Sequence, residues 1–223
     1  MNLEVTWVSA GSSWFWIMAE GKSIHIDPAY RHRDQPHGPE LEDRADLVLI
    51  THAHSDHWQR ETMAHLRGDQ TTVIAPMRVA KRFRPARRIK VAEPGKEFDL
   101  GWAKVRAVHA YNLGLKGHLL HKKGKCVGYL LTVEGKTIYH AGDTDLIPEM
   151  SQLGHVDIAM LPIGGTFTMD ARQAADAARI IGAGVVIPMH NLNTKPEELQ
   201  REVGDQGVIG VKVLQPGKSM SLG

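Results

Sequence analysis

Residues 46–58 read Asp-Leu-Val-Leu-Ile-Thr-His-Ala-His-Ser-Asp-His-Trp, so a short apolar run passes directly into three histidines and an aspartate. That junction restricts the backbone. On a helix, with 3.6 residues per turn, His52 and His54 would point about 200° apart. On an extended or turning backbone they share one side with Asp56, while His57 points elsewhere. The pattern therefore fits a strand end that opens into a helix, with a loop able to serve two metals: His52 and His54 for one, Asp56 and His57 for the other. A single histidine in such a place is ordinarily a solvated polar residue. Three within six residues, interleaved with a carboxylate, favour a metal site.

Two metals need further ligands, and other strand ends supply candidates. In residues 102–110 the alternation sets Ala103, Val105, Ala107 and His109 on one face and Lys104 and Arg106 on the other. Asp143 follows an apolar run and the Gly142 turn, where a carboxylate can bridge two cations, and His190 follows the run 185–187. Together these give five histidines and two aspartates. Asp27, ending the run 23–27, is either an orienting partner of a ligand histidine or a turn residue before Pro28. His140 is placed to orient a ligand or to pass a proton to a leaving group. Asp56, Asp143 and His140 are the candidate catalytic residues.

The remaining pattern is that of a layered α/β chain. Strand-like runs occur at 3–8, 14–18, 23–27, 46–51, 72–75, 103–109, 127–133, 136–140, 156–161, 184–188 and 208–214, and helical patterns at 58–67, 76–83, 170–182 and 195–203. Thr194 with Glu197 has the spacing of a capping box, and glycines at 182 and 184 close the alanine-rich segment starting near Asp170. Helices outside two sheets make a four-layer αββα sandwich the expected fold, built as one domain over residues 1–223. Segments 31–41 and 112–125 read as rim loops. Trp14, Phe15 and Trp16 read as core in preference to a pocket wall.

Charge and cysteine content narrow the class. Lys and Arg total 27 against 25 Asp and Glu, a formal +2, too near neutral for a chain built around nucleic acid or a membrane surface. Cys126 is the one cysteine, the first residues lack a signal peptide's basic flank and apolar core, and no run reaches the ~20 apolar residues of a membrane helix, so a cytoplasmic protein is expected. The basic stretch 81–90 reads as solvated surface. Neither this stretch nor the second basic one, 115–125, carries the interleaved aromatics of a stacking platform, which disfavours nucleic acid as a partner. Oligomeric state is left open, a homo-oligomer included.

Beyond these spacings, the stretches IHIDP at 24–28, THAHSDH at 51–57, FDLGWAKVRAVHA at 98–110, IYHAGDTDL at 138–146, DIAMLPIGGTFTMD at 157–170 and VVIPMHN at 185–191 resemble the metallo-β-lactamase superfamily. The branch is that of uncharacterised metal-dependent hydrolases, similar to ascorbate-phosphate lactonases and N-acyl-phosphatidylethanolamine phospholipases. The resemblance spans nearly the whole chain. It implies His52, His54 and His109 on one metal, Asp56, His57 and His190 on the other, and Asp143 between them. The chain departs from that branch at Gly11-Ser12-Ser13, Ala110-Tyr111-Asn112 and Asn191-Leu192-Asn193, beside the ligand positions.

Imidazole and carboxylate donors without thiolate make zinc the default for the two divalent ions, with manganese, iron or nickel compatible. A water shared by two such ions is acidified toward neutral pH and supplies hydroxide. Four positive charges, less two aspartates and one hydroxide, leave a cationic centre suited to an anionic small molecule such as a phosphodiester, or to a lactone. The expected activity is thus hydrolysis of a small ester-like substrate. The rivals are a metal-dependent nuclease and a metal-bound sensing module without catalysis. Segment 112–125, with three glycines and the cations Lys116, His118, His121, Lys122 and Lys123, is a candidate substrate lid.

Overall fold

The computed structural model describes residues 3–30, 38–83, 87–204, 207 and 209–222, with the side chains of 116–118 outside that set. Several expectations therefore fall outside the described residues: 31–37 in the first rim loop, 84–86 in the basic stretch, residue 208, and the Lys116 and His118 side chains. The chain forms two compact units, Met1–Ala92 with Leu214–Gly223, and Glu93–Val213.

The first unit holds a seven-stranded sheet ordered β14-β1-β2-β3-β4-β5-β6. Its strands, numbered along the chain, are β1 (Leu3–Trp7), β2 (Phe15–Ala19), β3 (Lys22–Ile26), β4 (Leu47–Leu49), β5 (Thr72–Pro76), β6 (Ile89–Ala92) and β14 (Lys218–Leu222). Pairing is antiparallel from β14 to β3 and parallel from β3 to β6. Burial follows that division. β1 and β2 alternate buried and half-buried residues, whereas every residue of β4 and β5 is buried, as parallel strands covered on both faces require. Helices α1 (Arg60–Leu66) and α2 (Met77–Ala80) make the crossovers that parallel pairing demands. Trp14 and Phe15 are fully buried, and Trp14 packs with Tyr30, Ile50, Leu66, Val73 and Phe83.

The second unit repeats the pairing scheme in a sheet ordered β13-β12-β11-β10-β9-β8-β7. Here β7 (Glu97–Asp99), β8 (Lys104–Ala110), β9 (Cys126–Val133) and β10 (Lys136–His140) are antiparallel neighbours. β10, β11 (Val156–Pro162), β12 (Ala183–Met189) and β13 (Gly210–Val211) run parallel. Helices are α3 (Gly114–Leu119), α4 (Ala171–Ile181) and α5 (Glu197–Val203). α4 starts where its sequence signal lies: Asp170 accepts from the Gln173 amide, Gln173 returns the bond, and Gly182 ends the helix at φ 66°. α5 corrects the expectation for Thr194. That residue is held in a turn by Asn191, its amide donating to the Asn191 carbonyl at 2.7 Å, so Pro196 becomes the N-cap and no side chain caps the helix.

The expected α/β class is observed, two mixed sheets with helices. Strands β6, β7 and β14 and helix α3 are additions to the sequence reading. β6, β7 and β14 are edge or near-edge segments with few buried residues, so they carry no periodic apolar signal.

Candidate functional site

In the first unit the sheet changes from antiparallel to parallel pairing at β3, and the segments leaving β3 and β4 carry the polar residues. A buried carboxylate organises them. Asp27 follows β3 at φ 50°, a left-handed conformation that Asp tolerates better than most residues. Its Oδ1 accepts from the Thr51 amide at 2.7 Å, and its Oδ2 accepts from the Thr51 hydroxyl at 2.6 Å and from His57 Nδ1 at 2.7 Å. The hydroxyl proton of Thr51 is used on Asp27, so its oxygen accepts from His52 Nδ1 at 3.0 Å. Both neutral rings are thereby protonated on Nδ1. His52 and His57 each keep an Nε2 lone pair, the state a metal ligand requires.

The loop geometry brings these rings together. The amides of His57 and Trp58 both donate to the His54 carbonyl, closing a tight turn before α1. The His52 and His57 rings meet at a 47° tilt with centroids 3.9 Å apart, and His52 Nε2 lies 3.0 Å from His54 Nδ1. His52 and His57 are buried, Asp56 is half-buried at the turn and His54 is exposed. Asp27 thus acts as an orienting partner, and its turn-forming role coexists with that one.

In the second unit Asp143 follows β10 across Gly142, which adopts φ 63°. This turn is tied down from several directions. The amide of Gly142 donates to His140 Nδ1 at 3.2 Å, Thr144 Oγ1 donates to the carbonyl of Tyr111, and the Asp145 amide donates to the same carbonyl. Two glycines permit the approach. A Cβ at Gly128 would lie 2.9 Å from the carbonyl oxygens of His140 and Ala141, and one at Gly164 would lie 2.7 Å from that of His190. His190 itself sits at φ 44° beyond β12. Its Nε2 is 3.5 Å from Asp143 Oδ2, and His121 Nε2 approaches the same oxygen at 3.4 Å.

His121 belongs to the segment read as a lid, and its structural place is different. It is 2% exposed, and its Nδ1 lies 2.7 Å from Asn112 Oδ1. The Asn112 amide also donates to the His121 carbonyl at 2.9 Å, so residues 112 and 121 pin the base of the excursion that carries α3. Lys123 is engaged as well: its ammonium pairs with Glu149 at 2.6 Å and lies 4.8 Å above the Tyr111 ring. Leu115 and Leu119 of α3 are exposed. No histidine in this segment stood out in the sequence as a ligand, because His121 ends no apolar run.

The other predicted residues are placed as follows. His109 occupies the penultimate position of β8, half-buried, edge-on to Tyr111 with centroids 6.2 Å apart. It lines a cleft of about 140 Å³ with Tyr139, Glu149, Met150 and Leu153, and its Nδ1 has no hydrogen-bond partner among the described residues. His140 is fully buried at the end of β10, its Nδ1 engaged by Gly142. His52, His54, Asp56 and His57 thus sit in one unit, and His109, His140, Asp143 and His190 in the other.

Comparisons with known proteins supply the family. The β-lactamase superfamily domain matches residues 4–190. A UPF0173 metal-dependent hydrolase of Geobacillus thermodenitrificans is 35% identical over 222 residues, covering 95% of this chain and 97% of its own. Another, from Pyrococcus abyssi, is 34% identical over 215 residues, with coverages of 90% and 92%. Among solved structures, the metallo hydrolase Igni18 of Ignicoccus hospitalis is similar with a TM-score of 0.83 at 27% identity, covering 100% of this chain and 99% of that one. With imidazole and carboxylate groups following parallel strands in both sheets, and relatives that match along almost their full length, the chain belongs to the β-lactamase superfamily as a metal-dependent hydrolase of its UPF0173 group.

Proposed function

We propose that this hydrolase cleaves a small ester-like substrate, a phosphodiester or a lactone, using two divalent ions with zinc as the default. The observation that carries the reading is the set of hydrogen bonds through Asp27 and Thr51, which occupies Nδ1 of the buried His52 and His57 rings and makes Nε2 the nitrogen that carries the lone pair. A histidine kept for packing has no need of that arrangement. In the proposed ligand set His52, His54 and His109 serve one ion, Asp56, His57 and His190 the other, and Asp143 both. The donors suit zinc, being nitrogen and carboxylate oxygen. When bound, such ions supply Lewis acidity and a water acidified toward neutral pH.

The chain's own residues have separable tasks. Asp27 and Thr51 hold ring direction in the first unit. In the second, His140 and Gly142 fix the turn that presents Asp143, and the two ligand aspartates leave the centre cationic, which favours an anionic substrate. We assign the activity to the whole chain as one functional domain acting on a small molecule.

A panel of phosphodiesters, phosphomonoesters, lactones, thioesters and short RNA, offered to metal-reconstituted protein, tests the reading. Turnover of a phosphodiester or lactone is expected, abolished in His52→Ala with the circular dichroism spectrum unchanged. Cleavage of RNA alone, or a silent panel, overturns it.

A further inference from the structure

We propose that Leu113, Leu115, Leu119 and Phe167 form an apolar rim that takes an alkyl substituent of the substrate, an inference that rests on the reading above that an ester is cleaved at the centre to which Asp143 belongs. The chain exposes its large apolar side chains unevenly. Among the described residues seven are exposed: Met77, Leu113, Leu115, Leu119, Leu120, Phe167 and Ile180. Five of these seven fall in two short segments, 113–120 and the loop at Phe167. Exposed leucines scattered singly need no explanation, whereas a concentration of them marks a binding surface. Leu115 and Leu119 are 83% and 81% exposed, and their i, i+4 spacing on α3 sets them in one stripe.

Both segments are fastened to the turn that carries Asp143. The Leu113 amide donates to Asp145 Oδ2 at 2.8 Å, and the Met169 amide donates to the Thr144 carbonyl at 2.9 Å. Asn112 ties the two segments together, since its Nδ2 donates to Asp145 Oδ1 at 3.1 Å and to the Phe167 carbonyl at 2.8 Å. The bond from the Asn112 amide to the His121 carbonyl closes the base of the excursion. A helix as short as α3 has no stability of its own in water, so it keeps its position beside Asp145 through these bonds. The apolar rim and the Asp143 turn are thus one fastened assembly. Size selects the occupant. A stable subunit interface draws on about 20–30 residues from each partner, whereas five large apolar side chains suffice to cover one alkyl chain. Continuity with the Asp143 turn makes that chain the substrate's own, and each CH2 group it buries there is worth up to about 4-fold in an equilibrium constant.

Two homologous series test the proposal, 4-nitrophenyl alkyl phosphates and γ-lactones, each with chains from methyl to octyl and held below the micellar concentration. On metal-reconstituted wild type, kcat/KM is expected to rise about 2–4-fold per CH2 over the first few carbons. Leu115→Asn combined with Leu119→Asn, and separately Phe167→Ala, are expected to flatten that rise until octyl and methyl members differ by less than about 3-fold. Met77→Asn, at an exposed apolar residue of the first unit, should keep the wild-type slope. A wild-type Tm in each variant checks the fold. A flat series on active wild type, or an unaltered slope in either rim variant, overturns the proposal and leaves the ester reading standing. A dimer that the double variant dissociates, together with a flat series, gives the surface to a second copy and overturns it too. Calorimetric binding of octylphosphonate and methylphosphonate separates the two failures when neither series is hydrolysed. An octyl preference above about 10-fold that the double variant loses sustains the rim while refuting the ester reading; no preference refutes both.

Discussion

His57 Nδ1 lies 2.7 Å from Asp27 Oδ2, and neither side chain has any solvent exposure. Asp27 is thirty residues away in sequence, yet through this contact and through Thr51 it decides which nitrogen of two histidines is available to a metal.

Replacing Asp27 with Asn separates charge and hydrogen bonding from shape. The new NH2 group must face either Thr51 or His57, each of which already donates there. If it faces His57, the ring proton moves to Nε2 and blocks the ligating atom. Zinc affinity, measured by chelator competition, is expected to fall about 10–100-fold, and the metal-free protein to lose about 1–3 kcal/mol for a buried group left without its partner. Wild-type affinity in Asp27→Asn would show that the tautomer is set by something else.

Asp143→Ala removes the carboxylate that His121 and His190 both approach. Elemental analysis of reconstituted protein is expected to show at least one equivalent fewer than wild type, with turnover abolished. A variant that keeps every equivalent and full activity would rule out Asp143 as a shared ligand.

Gly164→Ala tests the close approach behind His190. Its new Cβ would sit 2.7 Å from the His190 carbonyl oxygen and 3.0 Å from Leu192. Overpacking of this kind ordinarily costs about 1–3 kcal/mol, and here the displaced backbone is that of a proposed ligand, so Tm and zinc affinity should fall together. Gly210→Ala, where the nearest atom is 3.5 Å away, is the control and should change neither. Equal behaviour of the two variants would count against the packing argument.

His25 governs a part of the acid stability that is independent of metal. Burial drives its imidazole down to about 3, while Trp14 Nε1 donates to Nδ1 at 3.1 Å and Nε2 faces Ser23. The unfolded chain binds a proton at this residue near pH 6.5 and the folded chain does not until about pH 3. Stability from this group is therefore present above the unfolded value and declines as pH falls through the window, by up to about 1.4 kcal/mol per pH unit. Denaturant melts of metal-free protein from pH 7 to 4 should give a shallower decline for His25→Gln than for wild type. Parallel curves would exclude His25 as a source of the acid sensitivity.

Much of the chain was legible without coordinates, because the informative signals are local. The change from an apolar run to His52, His54, Asp56 and His57 identifies a strand end with ligand chemistry, and burial of every residue in β4 explains why that run lacks alternation. The start of α4 near Asp170 and its stop at the left-handed Gly182 were equally readable, since each rests on contacts within a few residues. Asp143 and His190 announced themselves by following apolar strands.

Other features were decided only by tertiary structure. β14 pairs with β1 across more than two hundred residues, and its polar sequence carries no periodic signal of that partner. Thr194 had the spacing of a cap and lost the role to Pro196, because Asn191 drew it into a turn. Asp27 acquired its role from Thr51 and His57, and His121 came to Asp143 only when Asn112 met Asp145 and Phe167. Sequence fixes which side chains can donate, accept or ligate and which face of their own segment they occupy. Where a lone pair points, and what it points at, depends on hydrogen bonds between segments far apart in the chain, and those form only once both sheets have their strands in register.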